Sequence, residues 1–153
     1  MKLLYRFLPQ SLATLLISGV VLAGCSAEGK AGAANHDLAM APLAQMPADV
    51  QQSPVVVQQA YQFAVANPEV LKQIPCYCGC GAMGHTSNYS CYVADVGAGG
   101  DVVFDNHALG CSICVDISQD AMRMLDQGKE IPEIFAYVDS TYARFGPPTP
   151  LEK

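Results

Sequence analysis

Between Pro75 and Val115 the chain carries six of its seven cysteines and two of its three histidines. In order they read Pro75-Cys76-Tyr77-Cys78-Gly79-Cys80, then His85, Cys91 and His107, then Cys111-Ser112-Ile113-Cys114. So many soft donors in so short a span leave two main ways to build the segment. Either the sulfurs gather around one or more d10 metal ions, or they pair into three disulfides.

Spacing separates the two readings. A disulfide needs Cα atoms roughly 4.4–6.8 Å apart and a fixed torsion, so Cys76–Cys78 or Cys78–Cys80 would close a small strained ring. In a three-bridge scheme Cys76, Cys78 and Cys80 would more naturally each pair with one of Cys91, Cys111 and Cys114, which leaves six connectivities of fifteen. An oxidising compartment would favour such bridges. Three features favour metal. Alternate cysteines can turn to one centre where Gly79 frees the backbone between them. His107-x3-Cys111-x2-Cys114 has the close spacing of zinc-type ligand pairs, and it abuts an expected helix start whose positive end favours thiolates. His85 stands among Gly, Ser and Asn rather than on an apolar face.

Six thiolates and two imidazoles can supply two four-coordinate ions, or a bridged Cu(I) cluster. Soft sulfur selects Cu(I), Zn(II) or iron–sulfur centres over Mg(II) and Ca(II). Cu(I) is the first expectation, because copper reaches the cell envelope and needs buffering there; Zn(II) is second. The expected ligands are Cys76, Cys78, Cys80, His85, Cys91, His107, Cys111 and Cys114. No catalytic residue is expected and the chain reads as a binding protein, not an enzyme. Val115 follows Cys114, so a c-type haem motif lacks its His, and no Gly-x-Ser-x-Gly, His-Glu-x-x-His or phosphate loop occurs. Thiol–disulfide exchange through Cys111 and Cys114 is the strongest enzymatic alternative, but the strand–helix alternation of a thioredoxin-like scaffold is missing.

The first 24 residues read as a lipoprotein signal peptide. Lys2 and Arg6 precede an apolar run, Leu12 to Leu22, too short for a comfortable membrane span, and Leu22-Ala23-Gly24-Cys25 resembles a lipobox. The expected mature chain is lipidated at Cys25, and its membrane partner is reached through that anchor, outside the cytoplasm. Losing Lys2 and Arg6 takes the net charge from −6 to −8. An acidic chain without a basic stripe excludes nucleic acid as a partner. A second envelope metal-handling protein is the remaining expected partner.

Residues 25–53 read as a flexible tether rich in Ala, Gly, Pro, Ser and Gln; His36, Met40 and Met46 within it are at most loose copper donors. A single mainly α domain is expected over 54–148, with three to four helices, a small β-hairpin and a Cys/Gly-rich loop, then a tail at 149–153. Ser53-Pro54 signals a helix with Val57, Ala60, Tyr61, Ala64 and Val65 on one face, ending at Asn67. Asn67-Pro68 starts a short second helix over Glu69–Gln73. Cys91–Val96 and Asp101–Phe104 pair as a hairpin around Gly97-Ala98-Gly99-Gly100. Another helix runs from Ser112 to Gln127, with Ile117, Ala121, Met124 and Leu125 inward; Met122 and Met124 read as core filler. The last, Pro132–Phe145, carries a stripe of Ile131, Phe135, Val138, Tyr142 and Phe145.

The combination of donors resembles the bacterial family named for its Pro-Cys-Tyr-Cys-Gly-Cys signature. That signature is intact at Pro75 to Cys80, and His85, Cys91, His107, Cys111 and Cys114 follow it. The resemblance covers about residues 54–147. It implies an envelope lipoprotein and supplies no chemistry, so ligand roles rest on spacing. The rival to a metal protein is a disulfide-stapled module that binds another envelope protein.

Overall fold

The computed structural model describes residues 38–152. Cys25, His36 and the signal segment lie outside the described residues. Among the described residues six helices and one antiparallel hairpin form a mainly α body, and no helix is long and apolar enough to cross a membrane.

The helices are α1 (Ala48–Gln51), α2 (Val55–Ala66), α3 (Pro68–Leu71), α4 (His107–Gly110), α5 (Ser112–Asp126) and α6 (Ile131–Tyr142). Strands β1 (Val93–Val96) and β2 (Val102–Phe104) pair with Val93 opposite Phe104 and Val96 opposite Val102, with an irregularity before Asp95. Short 3-10 turns occur at Leu43–Gln45, Cys80–Met83 and Tyr89–Cys91.

The centre of the molecule is α5, which packs against α2 on one side and α6 on another. Its inward residues, Cys114, Ile117, Ala121 and Met124, recur every three or four positions, the period that turns one stripe of a helix to a core. Leu125 is only half-buried. Facing them, α2 contributes Ala60, Tyr61, Phe63 and Ala64. Gly128, at φ 75°, takes the left-handed conformation that closes α5. The ring of Tyr61 meets that of Tyr92 edge-on, with centroids 4.9 Å apart. The cysteine segment thus sits against the main core rather than hanging outside it.

Three expectations change. Residues 38–53 are not a free spacer: Ala41, Met46 and Val50 are buried, and Ala41 N–H donates to Gln62 O at 3.0 Å. These apolar residues lie in turns and a one-turn helix, so they show no period to read. Met46 is therefore core, whereas Met40 is exposed. The inward stripe of α6 is Ile131, Ile134, Val138 and Tyr142, while Phe135 and Phe145 are exposed. The helix ends at Tyr142, so Phe145 does not continue its face. Finally, the tail is docked at Thr149, which is buried; its N–H donates to Cys76 O at 2.9 Å, and its Oγ1 accepts from Cys76 N–H at 3.0 Å.

Candidate metal centre

Each residue of the Pro75–Cys80 string has a physical task. Pro75 is buried and ends the run after α3. Cys76 is tied to Thr149 through both backbone groups. Tyr77 is fully buried and donates from Oη to Asp139 Oδ1 on α6 at 2.6 Å. Gly79 has φ 86°, and that turn brings Cys78 and Cys80 back to the side of Cys76. As a result Cys76, Cys78 and Cys80 have sulfurs within 4.8 Å of one another.

The other donors arrive from three elements. Cys91 ends a 3-10 turn just before the hairpin. His107 begins α4, after the hairpin. Cys111 caps the N-terminus of α5 and Cys114 lies in its first turn, where the helix dipole stabilises negative sulfur.

The six sulfurs form one continuous knot. Cys76 Sγ lies 3.4 Å from Cys78 Sγ and 3.5 Å from Cys114 Sγ. Cys114 Sγ is 3.3 Å from Cys91 Sγ and 3.6 Å from Cys78 Sγ, and Cys80 Sγ is 3.7 Å from Cys91 Sγ. His107 Nε2 reaches to 3.3 Å from Cys78 Sγ. None of the six cysteines is bonded to another. Thiolates around a tetrahedral ion with metal–sulfur bonds of about 2.3 Å stand about 3.8 Å apart, so these separations suit ligands of shared ions.

Four groups of donors have all their ligand atoms within 4.8 Å: Cys78, His107, Cys111 and Cys114; Cys76, Cys78 and Cys80; Cys76, Cys91 and Cys114; Cys80, Cys91 and His107. Seven of the eight expected ligands fall in these groups. His85 stands beside them. It is buried, its ring meets that of His107 edge-on at 5.1 Å between centroids, and its Nε2 lies 3.5 Å from Asp105 Oδ2.

The thiols share protons unequally. Cys76 is held far below the usual thiol range, chiefly because Cys114 and then Cys91 donate hydrogen bonds to it. Cys114 is driven up first by its hydrogen bond with Cys76, and Cys91 first by its hydrogen bond with Cys114. Burial raises Cys78. Cys80 is lowered to about 7, first by Cys91 and to a lesser degree by His85. A sulfur knot that already favours one thiolate is suited to exchange its remaining protons for a soft cation.

A buried polar lattice braces this knot. Tyr92 Oη donates to Cys114 O at 2.7 Å, and Asn88 Nδ2 donates to the same carbonyl at 3.2 Å. Ser118 Oγ lies 2.7 Å from Asn88 Oδ1 and 2.8 Å from Tyr92 Oη. Asp105 is a further site residue that the sequence reading passed over. Its N–H donates to Tyr92 O, its carbonyl accepts from Tyr61 Oη, and its Oδ1 accepts from His107 N–H at 2.7 Å. No local spacing marked it: the N–H that its Oδ1 accepts is the backbone one of His107, whereas the imidazole that its Oδ2 faces belongs to His85, far back in the chain.

Fold and site together define a small helical protein built around a thiolate–imidazole donor knot whose clustered cysteines and histidine could hold metal. Over residues 14–152 the chain matches the family described as "Protein of unknown function with PCYCGC motif", and it belongs to that family. No curated protein and no solved structure matches it.

Proposed function

We propose that this is a membrane-tethered protein of the cell envelope that sequesters or relays Cu(I), with zinc the second choice of cargo. It binds and does not catalyse. The observation that carries the reading is the knot itself: six unbridged sulfurs, five of them with a sulfur neighbour 3.3–3.7 Å away and Cys111 within 4.8 Å of Cys78 and Cys114, with His107 Nε2 among them. Thiolates favour Cu(I) and Zn(II) over Mg(II) and Ca(II), and copper comes first because it reaches the envelope and needs buffering there. Cys76, Cys80, Cys91 and Cys114 are buried, which suits retention, whereas Cys78, His107 and Cys111 form a half-exposed edge through which cargo can pass to a partner. Lipidation at Cys25 would hold the protein at the membrane surface.

The deciding experiment is metal content and free-thiol count on one sample, purified without air from its own cell envelope. Bound copper with near-ultraviolet thiolate-to-copper absorption is the expected result. Recovery of metal-free protein with all six thiols of the domain locked in disulfides would establish the stapled module instead.

A further inference from the structure

The eight donors divide more definitely than a single knot suggests. Cys78, His107, Cys111 and Cys114 are mutually within 4.8 Å and make one Cys3His set. The remaining sulfurs are Cys76, Cys80 and Cys91. Cys76 lies within 4.8 Å of both others, and Cys80 and Cys91 are 3.7 Å apart. They are therefore a second sulfur triad, one donor short of four.

His107 also approaches Cys80 and Cys91, but a neutral imidazole has one free lone pair and can serve one ion only. His107 Nε2 is already 3.3 Å from Cys78 in the first set. The second triad needs another nitrogen. His85 has one: its Nδ1 is buried and has no hydrogen-bond partner among the described residues. An unpartnered buried nitrogen is costly, and a metal bond removes that cost. The opposite nitrogen, Nε2, faces Asp105 Oδ2, the arrangement by which carboxylates fix the tautomer and orientation of a metal-binding histidine. Asp105 is itself held at its N–H, its carbonyl and its other carboxylate oxygen, so it is a rigid support.

The geometry points to two d10 ions per chain in two Cys3His sets, one held by Cys78, Cys111, Cys114 and His107, the other by Cys76, Cys80, Cys91 and His85 Nδ1, with Asp105 positioning His85. This rests on the metal-binding reading above and adds the count, the partition and the role of Asp105. Contact between Cys76 and Cys114, 3.5 Å apart, joins the two sets.

Cadmium(II) titration of the reduced full chain tests it, read by native mass spectrometry and 113Cd NMR. Wild type should take two ions and give two resonances. His85→Ala should weaken one ion more than tenfold and shift or erase its resonance, leaving the other intact. Asp105→Asn should weaken the same ion about 10–100-fold, as loss of a ligand's support does elsewhere. His107→Ala should affect the other ion, and His85→Cys, which restores a donor, should recover the second. A wild-type stoichiometry other than two, or a folded His85→Ala chain that keeps both ions at wild-type affinity, would overturn the partition while leaving metal binding standing. Reduced wild type that takes no cadmium and no copper would remove both.

Discussion

Gly79 is the residue on which the approach of Cys78 and Cys80 turns. At φ 86° a side chain is strained even though nothing lies within 4 Å of the Cβ it would add. Gly79→Ala should therefore cost about 1–2 kcal/mol from left-handed backbone alone, visible as a lower midpoint in urea. Its larger effect should fall on the site, since relaxing that turn swings Cys78 and Cys80 apart and should loosen the proposed metal site. Cys114 carries the complementary prediction. Its sulfur is within 3.6 Å of those of Cys76, Cys78 and Cys91, so Cys114→Ser should weaken Cu(I) retention more than Cys111→Ser, whose sulfur lies at the half-exposed edge. Competition against a Cu(I) chelator would rank them, and equal losses would count against Cys114 as the junction. The motif cysteines could be read from spacing because a positive-φ residue between donors is a local property. The burial of His85 could not, because its cover comes from residues far along the chain.

Among the elements, α5 bears the site at one end and the core along its length, so damage to its brace should reach both. Ser118→Ala leaves Asn88 Oδ1, in a fully buried residue, without the hydroxyl that donates to it, while Tyr92 Oη keeps its bond to Cys114 O. An unsatisfied buried polar group costs about 1–3 kcal/mol, and the lowered melting temperature should come with weaker metal retention. A substitution that lowered stability alone would show that the lattice does not position Cys114. The N-terminus of α6 gives a pH prediction. Glu133 is held below the usual carboxylate range, first by Lys129 at 2.8 Å and then by the N–H of Glu130. A carboxyl depressed in the folded state adds stability above its unfolded pKa and loses it as pH falls through its folded value. Acid should fray the first turn of α6 before the core opens, seen as faster amide exchange there, and Glu133→Gln should abolish that dependence. The stripe of α6 also shows why periodicity misplaced Phe135: steps of four and three fit both Ile134 and Phe135 as neighbours of Ile131 and Val138, and only packing against α5 selects Ile134.

For the whole molecule, four of the six sulfurs lie within the main hydrophobic core and the other two pack against it, so metal binding should be coupled to folding rather than appended to it. Stripping metal from the reduced protein should raise hydrogen exchange across residues 75–114 and the first turn of α5. Most of α6 should stay protected, because it packs chiefly on α5 and meets the cysteine string through the Tyr77–Asp139 bond rather than through a donor. Uniform protection in both states would separate the site from the fold. Sequence by itself marked the six cysteines and His107 that cluster, the helical class, the hairpin and, to within about a residue, the extents of α2 and α5, since each depends on spacing, caps and periodicity within a few positions. Only the tertiary structure decided which sulfurs and imidazoles come together, that residues 38–53 and Thr149 belong to the body, and that Asp105 stands behind His85. Those facts depend on distances between segments far apart in the chain, which are set by how α2, α5 and the hairpin pack and leave no local periodic mark.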